Sequence, residues 1–160
     1  MAPDELARLI DERAAALVLY ARQWCAAPED VVQEAFVKLM AQGSPPEQPV
    51  PWLFRVVRNA AISARRAAER RRRHETVAAQ RQRRWFEFAG DTALDADAVT
   101  RALQSLPSDQ REIITLHLWG GLTFAQIADV IGCSSSSAHR WYEEGLARLR
   151  ERLDVPCTRI

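Results

Sequence analysis

Cysteine is scarce in this chain of 160 residues: Cys25, Cys133 and Cys157 lie far apart and belong to no CxxC or Cys/His cluster. That spacing supports neither a disulfide framework nor a zinc site, and each thiol is expected to be a small buried or half-buried hydrophobe. No phosphate-binding loop, nucleophile–base pair or metal cluster is present in the sequence, so neither enzyme chemistry nor a cofactor is expected. Long hydrophobic runs are missing too. The longest near the start, Ala14–Ala21, falls far short of the roughly 20 residues that span a bilayer. It follows Asp4, Glu5, Asp11 and Glu12, the wrong charge for a signal peptide, so a cytoplasmic protein without membrane insertion is expected. Net charge is nearly absent: 22 Lys+Arg against 21 Asp+Glu leave +1. Taken as a single number, it argues against a polyanionic partner.

What is present changes that inference. Residues 1–50 carry 4 basic and 8 acidic residues, residues 51–84 carry 11 Arg and 2 Glu, and residues 85–160 carry 7 Arg and 11 acids. The blocks are net −4, +9 and −4. A strongly basic segment between two acidic ones is an electrostatic footprint for polyanions. Lys38 is the single lysine. Arg forks match phosphate geometry, although a general preference for Arg makes this bias weak on its own. With 48% hydrophobic and 27% charged residues, the composition is that of a soluble globular protein, and the length suits one domain or two small ones of about 60–70 residues.

The periodicity is helical almost throughout, and no stretch shows sustained strand alternation. Val31, Val32, Ala35, Phe36, Leu39 and Met40 recur at three- and four-residue spacing. So do Trp52, Leu53, Val56, Val57, Ala60 and Ala61, then Ala98, Val99, Ala102, Leu103 and Leu106, then Ile113, Ile114 and Leu118. Pro3-Asp4-Glu5 and Pro28-Glu29-Asp30 mark helix starts, Ser108 is an expected N-cap, and Thr123 with Gln126 forms a T-x-x-Q capping box. Gly43–Pro51, with four of the eight prolines, reads as a rigid extended loop. A polar stretch from about His74 to Ala93 reads as an interdomain linker, although Trp85, Phe86 and Phe88 are unusual there. The expected fold is all-α: two small helical domains joined by a linker.

Leu122–Leu153 reads as a helix-turn-helix. Phe124, Ile127, Ala128 and Ile131 form the inner face of a short helix, Gly132 ends it, and Ala138, Trp141, Tyr142, Leu146 and Leu149 give the buried spacing of a longer one. The second helix can lie in a major groove and present Ser135, Ser136, Ser137, His139 and Arg140 to bases or phosphates. A plain helical hairpin with a serine N-cap cluster is the alternative. His139 has no partner ligands near it in sequence, so a metal role is not expected.

At this point the sequence resembles a family. Asp30-Val31-Val32-Gln33-Glu34-Ala35-Phe36 is similar to the D-x-V-Q-E-x-F signature of bacterial RNA polymerase sigma factors. Pro51-Trp52-Leu53-Phe54-Arg55-Val56-Val57-Arg58-Asn59-Ala60-Ala61 resembles the W-L-x-x-I-x-x-N stretch that follows it, and Leu122-Thr123-Phe124-Ala125-Gln126-Ile127-Ala128 resembles their C-terminal helix-turn-helix. Two such regions and nothing else is the layout of the extracytoplasmic-function (ECF) class. The resemblance implies region 2 at 9–77, a linker at 78–93 and region 4 at 94–153. It implies that Asp30, Gln33 and Glu34 dock on the clamp coiled coil of the largest subunit of core RNA polymerase. Arg55, Arg58, Asn59, Arg65 and Arg66 would engage the −10 element of promoter DNA as it opens, with a flipped base held under the loop Gln42–Val50. Ser135, Ser136, Ser137, His139 and Arg140 would contact the −35 element. A cognate anti-sigma factor is a further implied partner.

The chain departs from the family at Glu143 and Glu144, where many relatives carry basic residues. Carboxylates there would repel phosphate unless they point away from DNA or face polymerase. Two other readings compete. A helix-turn-helix regulator acting without polymerase explains only the C-terminal half. A sigma-like mimic that sequesters an anti-sigma protein would be expected to lose the basic block that this chain keeps.

Overall fold

The computed structural model describes residues 2–74 and 96–153, and all regular structure among them is helical. The expected linker with Trp85, Phe86 and Phe88, and Cys157, lie outside the described residues. The chain divides into two compact units, Met1–Arg83 and Arg84–Ile160.

Unit 1 packs three helices against one another: α1 (Pro3–Ala21), α2 (Pro28–Met40) and α3 (Pro49–His74). Proline opens both α1 and α2, where its missing N–H costs nothing, and acids follow in the first turn, where the helix dipole favours them. Leu17, Tyr20 and Ala21 of α1, Val32, Ala35, Phe36 and Leu39 of α2, and Leu53, Phe54, Val57 and Ala61 of α3 form the core. The Tyr20 ring meets Phe54 edge-on at 5.4 Å. Two details differ from the sequence pattern. Met40 is 56% exposed rather than core, because at 100° per residue it lies about 108° from the centre of the buried stripe of α2. The buried stripe of α3 runs through Phe54, while Trp52, Val56 and Ala60 are only half-buried. The proline-rich loop is also shorter than expected, since α3 already begins at Pro49 and takes Pro51 into its first turn.

Unit 2 contains α4 (Ala96–Gln104), α5 (Ser108–Leu118), α6 (Phe124–Ile131) and α7 (Ser135–Leu153), with α7 packed on the other three. Leu103, Leu106, Ile113, Ile114, Leu116, Leu122, Ile127 and Ala138 are buried at its centre. Ser108 is not the cap of α5: the cap position is Pro107, with extended ψ of 145° and no side-chain bond, and the Ser108 hydroxyl donates to Asp109 instead. No helix among the described residues is long and apolar enough to cross a membrane.

Candidate nucleic-acid interface

The outer face of α3 follows from helical geometry. Arg55, Asn59, Arg66, Arg70 and Arg73 fall within about 60° of one meridian at 100° per residue. All five are exposed, and that meridian lies across the helix from Leu53, Val57 and Ala61. Arg58 and Arg65 lie on one flank. Arg58 is half-buried and already engaged with a neighbour. The Arg65 guanidinium stacks over the Trp24 ring at 5.2 Å and pairs with Glu69 at 3.5 Å. The five expected −10 residues are thus three outward groups and two that also brace the unit. Arg70 and Arg73 extend the outward row.

On α2, Asp30, Gln33 and Glu34 are all exposed on one face, with Glu34 paired to Lys38 at 2.8 Å. Val37, 51% exposed, lies between them on the same face. Sequence reasoning missed it, although its place three and four residues after Glu34 and Gln33 was the available signal.

In unit 2 the turn before α7 is built as its residues dictate. Thr123 Oγ accepts from Gln126 N–H at 3.3 Å, and Gln126 Oε1 accepts from Thr123 N–H at 3.0 Å, closing the capping box. Gly132 sits at φ 86° and its N–H reaches Ala128 O at 2.8 Å, a left-handed stop that side chains rarely adopt. Ser134 then caps α7, accepting from Ser137 N–H at 3.1 Å and donating to the Ser137 hydroxyl at 2.8 Å. Of the three expected serines, Ser135 and Ser136 are exposed, whereas Ser137 is half-buried and tied into the cap. His139 and Arg140 are exposed.

An aromatic cluster joins α5, α6 and α7. His117 stacks on Phe124 at 4.6 Å and meets Tyr142 edge-on, while His139 meets Phe124 edge-on at 4.9 Å. His117 Nδ1 lies 2.8 Å from the Leu122 carbonyl oxygen, tying the α5–α6 turn. Burial pushes the Tyr142 phenol up, with Arg150 opposing. Burial, reinforced by Glu112, pushes up the Cys133 thiol in the turn, so that it stays protonated around neutrality. Burial raises the Cys25 thiol as well.

Glu143 and Glu144 of α7 are both engaged. Glu143 lies 3.7 Å from His139. Glu144 accepts from Gln110 Nε2 at 3.1 Å and lies 3.8 Å from Arg140. At 100° per residue Glu144 sits on the flank toward α5, off the outer line of Ser136 and Arg140.

Comparison with known proteins agrees with this layout. A family model for Sigma-70 region 2 matches residues 9–71, and one for Sigma-70 region 4 matches residues 96–149. The RNA polymerase sigma factor CarQ of Myxococcus xanthus is 30% identical over 140 residues, 78% of this chain and 74% of CarQ. RfaY of Xanthomonas campestris is 30% identical over 141 residues, and the match spans 80% of this chain but only 34% of RfaY. The ECF RNA polymerase sigma factor SigD of Mycobacterium tuberculosis is 31% identical over 109 residues, 64% of this chain and half of SigD. Among solved structures, the sigma factor RpoE in complex with the anti-sigma factor NepR from Bartonella quintana superposes with a TM-score of 0.72 at 24% identity, covering 98% of this chain and all of that one. CnrH in complex with the cytosolic domain of CnrY gives 0.64 at 22% identity, covering 98% and 92%. Those two likenesses show a shared fold. With both family regions in chain order and CarQ matched across most of both chains, the chain belongs to the extracytoplasmic-function class of bacterial RNA polymerase sigma factors.

Proposed function

We propose that this chain binds core RNA polymerase, directs it to specific promoters and helps open the −10 region, with no catalysis of its own. Residues 9–77 would act as region 2, 78–93 as a linker and 94–153 as region 4. The observation that carries the reading is that one three-helix unit presents two exposed faces of different chemistry. One is the Arg–Asn meridian of α3; the other is the acid-and-amide face of α2. A basic rod suits the phosphates of an opened strand, and Asp30, Gln33 and Glu34 suit a coiled coil that presents Arg. Ser135, Ser136, His139 and Arg140 would meet the upstream element, with Ser137 acting through the cap. The resolved complex of RpoE with NepR supports including an anti-sigma protein among the partners. Cytoplasmic action follows from the proposed role.

The test is transcription with core polymerase over a promoter library, with start sites sequenced. Specific starts are expected. Failure to bind core polymerase overturns the reading and leaves a helix-turn-helix regulator. Asn59→Ala with Arg66→Ala should impair strand opening more than core binding, whereas Glu34→Ala should do the reverse. Equal loss of both by either variant contradicts the division of roles.

A further inference from the structure

Gln110 is a polar side chain 5% exposed in the first turn of α5, and the proposed DNA-facing surface gives it no role. Both ends of its amide reach across to α7. Nε2 donates to Glu144 Oε2 at 3.1 Å, and Oε1 accepts from Arg148 at 2.6 Å. The amide stands between an anion and a cation one helical turn apart, and each partner meets the matching end of it. Gly145 permits this approach: a Cβ there would lie 2.8 Å from Ile114 Cδ1 and 3.2 Å from Gln110 Cβ. The remaining oxygen of Glu144, Oε1, lies 3.8 Å from Arg140 Nε. A continuous polar line thus runs from Arg148 through buried Gln110 and Glu144 to the exposed Arg140.

We propose that Gln110 is a positioning residue for Arg140: by holding Glu144 against α5, it turns that carboxylate into a bracket for the guanidinium instead of a charge facing DNA. The inference rests on α7 being the helix that contacts duplex DNA. Two consequences separate it from simpler roles. A carboxylate that merely repels phosphate tightens binding when neutralised, whereas a bracket weakens it. A residue that merely stabilises the unit costs the same whether or not Arg140 is present, whereas a positioning residue acts only through Arg140.

The experiment uses the full chain with core RNA polymerase. The probes are a duplex recovered by selection from a randomised pool and an unrelated duplex at the same salt. Glu144→Gln should weaken the selected duplex by roughly three- to tenfold, as expected for loosening one good base contact, and leave the unrelated one unchanged. Tighter binding to both overturns the proposal. Gln110→Leu should weaken the selected duplex in the parent chain and cost nothing further in an Arg140→Ala background. Equal cost in both backgrounds overturns it. Should Gln110→Leu fail to fold, the exposed Glu144→Gln change decides by the sign of its effect. If Arg140→Ala leaves duplex preference intact, the reading of α7 as a DNA-contacting helix falls and the inference with it. If preference depends on Arg140 but not on Glu144 or Gln110, only the inference falls.

Discussion

At the residue scale, three glycines separate backbone strain from crowding. Gly132 has φ 86° and open space around its Cβ direction, so Gly132→Ala should cost about 1–2 kcal/mol through the left-handed backbone alone. Gly145 is crowded instead. Its Cβ would press on Ile114, which is fully buried and has nowhere to move, so Gly145→Ala should cost about 1–3 kcal/mol by overpacking. Gly43 meets nothing within 4 Å, and Gly43→Ala should stay within about 0.5 kcal/mol. Denaturant melts of the three variants check the order. A Gly43→Ala cost equal to the other two would contradict both mechanisms. The raised Cys25 and Cys133 thiols lead to a further expectation: both should alkylate slowly at pH 7 and faster as pH rises, because the reactive thiolate is scarce until pH approaches the raised pKa. Mass mapping of labelled peptides would show it, and fast labelling of either site at neutral pH would contradict the burial argument.

At the element scale, capping chemistry decides which predicted starts hold. Thr123→Ala removes the hydroxyl half of a two-bond capping box and should cost about 1 kcal/mol, while Ser108→Ala, which removes no cap, should stay within about 0.5 kcal/mol in the same melts. The same contrast shows what the sequence made legible. The Thr123–Gln126 box, the Gly132 stop and the prolines opening α1 and α2 are local signals, each set by a few adjacent residues, and each is found in place. Ser108 was misplaced by one residue because the preceding Pro107 takes the cap backbone itself. Met40 was misread because three- and four-residue spacing marks a stripe without fixing its width. The five residues expected to meet the −10 element could be named from the family resemblance and the outer face of the helix, but the stack of Arg65 on Trp24 could not. It joins side chains 41 positions apart, and only the packing of the turn after α1 against α3 brings them together. The link from Gln110 to Glu144 is hidden for the same reason.

At the scale of the whole molecule, the location of charge matters more than its sum. Arg66→Ala and Arg8→Ala change net charge equally, yet only the first lies on the outer meridian of α3. Single-strand DNA binding measured against salt should lose about 0.7 of slope with Arg66→Ala and none with Arg8→Ala. Equal changes would mean that net charge governs binding after all. The +1 total is therefore a poor guide, since the two units and their helices separate the signs. The unbroken length of α3 carries a consequence of its own. Arg55 and Arg73 lie 18 residues apart on one unbroken helix, about 27 Å at 1.5 Å per residue. For a strand that keeps the stacked, duplex spacing of about 3.4 Å per phosphate, that length matches about eight nucleotides. The helix is a ruler: a strand lying along it has its footprint set by the length of a rod, and inserting four residues between Ala67 and Ala68, about one turn, would lengthen that footprint by about 6 Å while turning Arg70 and Arg73 by about 40°.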